Sequence, residues 1–244
     1  MSWFKRKAPS NDLDFVDVSR RVYQHFPIQR AADVPTIARE TQIASHGKYL
    51  FPHCPGMIDY ARMGYIIPAW VDIRIKANKA GVVTSIGSVS RGDRGFRRPE
   101  PMSSDIVSGF FTPEDGVPLR ATKVESPWYL FAKENISAIL APPIYHTDWG
   151  DDLHTWVGCV DYQKCPVTNF IFSPKRECEV HIKAGEPLLH VIPFFNKEVS
   201  AGCGAGTQEQ VDATNNITYT DDSQFYRKFM AVKKIFSLSG GKDT

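Results

Sequence analysis

Histidine beside an acidic residue is the pattern in this chain that most invites a chemical reading. His146-Thr147-Asp148 sets an imidazole and a carboxylate two residues apart, and His181 and His190 lie downstream in apolar, strand-like segments. Two histidines and one carboxylate can hold Fe(II) on one face and leave positions open for oxygen and a cosubstrate. His146, Asp148 and His190 are therefore the candidate metal ligands, and an Fe(II)-dependent oxygenase-like enzyme is one reading. Against it, Pro142-Pro143 puts the triplet in a connecting loop. No arginine or lysine follows His190, where Val-Ile-Pro-Phe-Phe stands instead. The competing reading makes His190 a strand histidine, hydrogen-bonded at an interface or sheet edge. The five cysteines (Cys54, Cys159, Cys165, Cys178, Cys203) contain no C-x-x-C pair, so neither a structural zinc site nor a redox motif is signalled. No cofactor is expected.

Cations gather in two places where they could meet a partner. Trp3 and Phe4 stand beside Lys5, Arg6 and Lys7, an arm that could dock aromatics on another protein or simply begin the chain flexibly. Arg91, Arg94, Arg97 and Arg98 lie among glycines and prolines in a long loop-like segment. They could grip phosphates or an acidic partner, or remain solvated loop charges. Trp3, Phe4, Lys5, Arg6, Arg94, Arg97 and Arg98 are thus the candidate partner-binding residues. Over all 244 residues the 29 Lys and Arg nearly balance the 27 Asp and Glu, for a net charge of +2, which argues against a dedicated nucleic-acid binder. No apolar run approaches the ~20 residues that cross a bilayer, so no membrane is expected. Ala8-Pro9-Ser10-Asn11 follows the first cations where a secretory signal would be apolar. Reduced thiols in a cytosolic compartment follow from that expectation.

The elements that must position these residues are short. The 17 Pro and 17 Gly cut the chain into segments that favour strands over long helices. Asp33 reads as a helix cap, with Pro35 in the first turn and Thr36 to Glu40 continuing it. Pro55 starts a short helix that Gly64 stops. Val71 to Ala77 alternates apolar and polar residues, Asn78 to Gly81 turns, and Val82 to Ile86 returns as a hairpin partner. Pro127–Ala132, Ser137–Ala141, Trp156–Val160, Val167–Phe172, Glu179–Lys183 and Leu188–Phe195 then read as six strands in about 70 residues. Trp70, Tyr65, Trp128, Tyr129 and Trp156 would fill their core, with indole and phenol groups hydrogen-bonded at the rim. A Gly-rich stretch, Ser200 to Thr207, precedes an amphipathic helix over Ser223 to Leu238 that carries Phe225, Phe229, Val232, Ile235 and Phe236 on one face.

Two resemblances emerge from these segments. Gly158-Cys-Val-Asp161, Val167 to Phe172, and Val180-His-Ile-Lys-Ala-Gly185-Glu-Pro-Leu-Leu-His190 together resemble the second half of the deoxyuridine triphosphatase fold. That resemblance implies a β-clip core and gives Asp161 the position of the family's water-activating aspartate, the one catalytic candidate. A nucleotide-binding protein of that kind is the other enzyme-like reading. Where the family places Arg-Ser-Gly to hold phosphate, however, this chain has Leu140-Ala-Pro-Pro143-Ile-Tyr. Cys54-Pro-Gly-Met-Ile-Asp59-Tyr with Gly64-Tyr-Ile-Ile-Pro-Ala-Trp70-Val-Asp-Ile, Ser126-Pro-Trp128, and Ile182-Lys-Ala-Gly185-Glu-Pro-Leu also resemble an uncharacterised protein family of tailed phages, especially marine ones.

The expected fold is mainly β: a β-clip or jelly-roll-like barrel or sandwich with an N-terminal α+β extension and a C-terminal helix. Its expected parts are an arm with short helices (1–50), an α+β extension with hairpin and Arg-rich loop (51–121), a β-barrel core (122–200), and a Gly-rich loop with the amphipathic helix (201–244). The expected function is a non-enzymatic, protein-binding structural component, virion-associated in a tailed phage as a capsid decoration, cement or neck protein. Its partners would be other virion or capsid proteins and further copies of itself, first in the host cytoplasm and then in the virion.

Overall fold

Alternation of apolar and polar residues is realised most plainly in the segment after Trp70. The strand Ile73–Asn78 buries Ile73, Ile75 and Ala77 and turns Arg74, Lys76 and Asn78 outward, the period-2 pattern of a half-buried strand. The Asn78 side chain accepts hydrogen bonds from the backbone N–H groups of Ala80 and Gly81 and so closes the hairpin turn. A computed structural model describes residues 11–36, 55–87, 99–102, 111–197, 208, 209 and 212. Met1–Lys197 form one compact unit and Glu198–Thr244 a second; all that follows concerns the first.

In chain order the described strands and helices are β1 (Leu13–Asp17), α1 (Val22–His25), β2 (Gln29–Arg30), α2 (Pro55–Arg62), β3 (Tyr65–Pro68), β4 (Ile73–Asn78), β5 (Gly81–Ile86), β6 (Glu100–Pro101), β7 (Thr122–Ala132), β8 (Ile136–Ala141), β9 (Leu153–Thr155), β10 (Gly158–Val160), β11 (Val167–Pro174), β12 (Cys178–Ile182) and β13 (Pro187–Phe195). They make three antiparallel sheets: β1-β7-β11-β9 with β6 beside β7, β10-β8-β13-β3-β2, and β12-β4-β5. The chain is therefore mainly β, as expected, and none of these sheets closes on itself. All three contribute to one apolar core, through Leu130 and Phe170 from the first sheet, Ile67 and Val191 from the second, and Ile73 and Ile182 from the third. β13 lies between β8 and β3, and Leu188 to Ile192 are all buried, which is why this strand reads as a nearly unbroken apolar run.

Several expectations need revision. Of the strand expected over Trp156–Val160 only Gly158–Val160 is formed, as β10; Trp156 and Val157 bridge β9, paired with β11, and β10, paired with β8 in another sheet. β1 and β3, which local patterning did not mark, are both present. Asp33 ends a 3-10 turn, Ala31–Asp33, and Val34 is extended; residues 37–40 of the expected helix lie outside the described residues. The division at residue 121 falls between strands that pair with one another, since β3 joins β13, β4 joins β12, and β1 joins β7. Of the five aromatics expected in the core, Trp70 and Trp128 are buried, whereas Tyr65, Tyr129 and Trp156 are only half-buried. The indole N–H groups of Trp70 and Trp128 have no hydrogen-bond partner, while Trp156 donates to Ser173. Trp149 and Tyr162 join the core instead. The Ser200–Thr207 stretch and the Ser223–Leu238 helix lie outside the described residues.

Candidate functional site

A buried polar cluster forms where α2 ends. A helix leaves its last carbonyls without intrahelical partners, and two residues past the end of α2 stands Gly64 with φ +72°, the left-handed conformation that glycine adopts at helix ends. There the backbone runs so close to β13 that a Cβ on Gly64 would sit 2.2 Å from the Val191 carbonyl oxygen. Two histidines receive the freed carbonyls. His146 Nε2 lies 2.9 Å from the Ala61 oxygen, and His190 Nε2 lies 2.5 Å from the Met63 oxygen. His146 also places Nδ1 3.1 Å from the Pro35 oxygen. Both of its partners only accept, so the ring serves both at once only with a proton on each nitrogen. His146 thereby ties the 3-10 turn region, the end of α2 and the loop after β8 at one point.

His190 is fully buried in the middle of β13. Its Nε2–H donates to Met63, and its Nδ1 has no partner. Burial pushes its pKa below the ordinary value, the Met63 hydrogen bond opposes this, and His146 adds to the lowering. The neutral ring is the form the site favours. Around it, Tyr60 meets His190 edge-on at 5.2 Å and Tyr145 at 5.7 Å, and His146 stands edge-on to His190 at 6.2 Å. Burial, with Tyr145 beside it, raises the Tyr60 pKa.

The three candidate metal ligands are not brought together as a triad. His146 faces two backbone oxygens, Asp148 is exposed, and His190 faces Met63. Among the described residues, no group of three or more His, Cys, Asp and Glu could hold a metal ion. His181, on β12, is hydrogen-bonded to Asp72 at 3.2 Å on the exposed side of its sheet.

Asp161 lies in the turn that follows β10. Its carboxylate accepts from the Gln163 backbone N–H at 3.1 Å and meets Lys164 Nζ at 2.9 Å. The Lys164 hydrogen bond, then that of Gln163, holds its pKa below the usual carboxylate range. Its neighbour Tyr162 turns inward, where its hydroxyl bonds Thr168 at 3.1 Å and burial pushes its pKa up to about 12. Trp3, Phe4, Lys5, Arg6, Arg94, Arg97 and Arg98 lie outside the described residues.

The segments around Ala69–Asp72 and Ala184–Glu186 meet in space. Ala69 and Glu186 exchange backbone bonds with each other's turn: Ala69 N–H donates to the Glu186 oxygen at 2.8 Å and Gly185 N–H to the Ala69 oxygen at 2.7 Å. Asp72 accepts from the Ala184 N–H at 2.9 Å. Ser126 accepts from the Trp128 N–H within β7. The Ala69–Asp72 and Ala184–Glu186 turns thus form a joint between the second and third sheets.

Two surface cavities flank β1. One, about 640 Å³, is lined by Phe15, Asp17, Arg20, Tyr23 and Trp128 among others. The second, about 670 Å³, lies on the other side of Phe15, with Tyr65, Phe194 and Phe195 in its wall and the Lys133–Asp12 ion pair at its rim. Neither was marked by sequence spacing, because their walls come from segments more than a hundred residues apart. In comparisons with protein-family models, curated proteins and solved structures, no match to this chain emerges.

Proposed function

We propose that the protein is a non-enzymatic, protein-binding structural component of a tailed-phage particle, made in the host cytoplasm and built into the virion in several copies. One observation carries the non-catalytic part: His146, His190 and Asp161 are engaged in holding backbone. His146 serves the Pro35 and Ala61 carbonyls, His190 the Met63 carbonyl, and Asp161 its own turn. Support for binding other proteins comes from β1. It pairs with β7 on one side only among the described residues, and Val16, Val18 and Tyr23 on and after it are exposed. An edge strand with apolar side chains is a template for another chain. The particle assignment, and with it a β-clip or jelly-roll-like arrangement, rests on the motifs that resemble the phage family and on analogy of fold. No helix among the described residues is long and apolar enough to cross a membrane.

The test has two arms. Particles of the encoding phage, purified by density gradient and probed with an antibody to this chain, should contain it at a constant copy number. Light scattering of the purified protein should give a mass above that of one chain. A monomer that is missing from the particles refutes the proposal.

A further inference from the structure

The cavity beside α1 combines an aromatic lining with a cation that no side chain among the described residues pairs with. We propose that this cleft, between the end of β1, β7 and α1, binds a small organic anion with a planar apolar body, the Arg20 guanidinium taking the anionic group and Phe15, Tyr23 and Trp128 the body. The inference stands apart from the particle role and does not depend on it.

The volume, about 640 Å³, falls within the ~300–1,000 Å³ of ordinary small-molecule pockets, which are mostly apolar with a few convergent polar groups. Phe15, Val16, Tyr23, Pro27, Ile28 and Trp128 supply the apolar wall, and Asp17 and Arg20 are the charged groups. The two charges are not equally free. The Asp17 carboxylate accepts from the Ser19 N–H at 2.8 Å, the Ser19 hydroxyl at 2.6 Å and the Tyr23 N–H at 2.9 Å. That fills three of roughly four lone-pair directions on a carboxylate. Arg20, by contrast, is exposed, and its guanidinium has no hydrogen bond or ion pair among the described residues. The Tyr23 hydroxyl accepts from the Gln24 side chain at 3.2 Å and keeps its own O–H, which with the Arg20 N–H groups gives the cleft donors. A ligand that satisfies it must bring acceptors, and a planar guanidinium favours a carboxylate, sulfonate or phosphate.

The backbone adds an independent observation. Arg20 has φ +63°, a left-handed conformation that glycine adopts freely and arginine does not. Its N–H reaches back to the Asp17 oxygen at 3.3 Å, a tight turn that brings Arg20 to the cleft it lines. A long cationic side chain kept where glycine would be relaxed is the kind of local strain that clusters at binding sites.

Glycine also provides the test, because Arg20→Gly removes the cation while suiting the backbone. The full-length protein is titrated with anilinonaphthalene sulfonate, with neutral phenylnaphthylamine, and with naphthylmethylammonium, by fluorescence and calorimetry. The sulfonate should bind at one site per chain, and Arg20→Gly should weaken it roughly tenfold or more, the loss of one charge-assisted bond. Arg20→Lys should retain more of the affinity than Arg20→Gly, and thermal melts of Arg20→Gly should show a midpoint no lower than that of the unsubstituted chain. Equal sulfonate affinity in Arg20→Gly overturns the proposal. So does binding of the neutral or cationic probe as tight as that of the sulfonate.

Discussion

Replacing Gly64 by alanine tests the placement of the α2 end against β13. Two penalties act there. The first is conformational: at φ +72° a residue with a Cβ costs about 1–2 kcal/mol relative to glycine. The second is steric. The added Cβ would lie 2.2 Å from the Val191 carbonyl oxygen, where ordinary contact begins at 3.4 Å, and that oxygen is backbone that cannot swing aside. Relieving such an overlap costs a further ~1–3 kcal/mol. Gly116 separates the two penalties, since it has nearly the same φ, +73°, but its Cβ would come no nearer than 4.0 Å to the Lys79 side chain. At ~2–4 °C per kcal/mol for a chain of this size, Gly116→Ala should lower the thermal midpoint by about 5 °C and Gly64→Ala by about 10 °C. Differential scanning calorimetry of the two variants against the unsubstituted chain measures both shifts. If Gly64→Ala loses no more than Gly116→Ala, the close approach of α2 to β13 is wrong, and with it the role given to His146 and His190.

Truncating His146 to alanine should cost about 1–3 kcal/mol in urea unfolding, because a carbonyl that it serves, of Ala61 or Pro35, loses its donor. EDTA should leave the same unfolding curve unchanged, and a chelator-sensitive curve would return His146 and His190 to metal ligation. Acid should weaken the fold through His190 and His154, whose pKa values are both lowered, in each case first by burial. The unfolded chain takes up protons near pH 6.5 while the folded one resists, so stability is full above that pH and falls as the pH drops below it. Urea midpoints between pH 7.5 and 5.5 would show the slope (about two pH units spanning the histidine range), and His190→Gln should flatten it. Tyr162→Phe should cost about 1–3 kcal/mol, since the Thr168 hydroxyl is left buried without its partner; an unchanged midpoint would place Tyr162 outside the core.

Strand composition was readable wherever alternation and turn residues fall close together, as in β4, β5 and the run from β7 to β13. Pairing was not, because it is decided by segments far apart. Trp156–Val160 looks like one strand by pattern, yet Trp156 and Val157 only carry the chain from β9 in one sheet to Gly158–Val160 in another. β1 is five residues flanked by charges, and only its register against Leu130 and Trp128 makes it a strand. The histidines follow the same logic. An H-x-D spacing describes only the local chain, whereas the function of His146 is set by oxygens 111 and 85 positions away. Arg20 carried no local signal either, since a left-handed arginine is spelled like any other.

Long-range pairing also bears on how the chain divides. The part after residue 121 carries most of the strand signal and reads as a core in its own right, but each of its sheets is completed by earlier residues. Without β3, the second sheet would end on β13, whose Leu188 to Ile192 are buried on both faces. Without β4 and β5, β12 would have no strand partner among the described residues, where it pairs with β4 alone. Without β1, β7 would lose the pairing of Leu13 to Asp17 with Trp128 to Ala132. Three unpaired edges beside an exposed apolar strand favour aggregation over folding. The early strands thus act as the second half of each ladder, and the turn joining Ala69–Asp72 to Ala184–Glu186 is where the two halves lock. Motifs from both ends of the chain meet there for a mechanical reason, and a surface built on such a frame can present the edge of β1 and the Arg20 cleft without involving the joint that holds them.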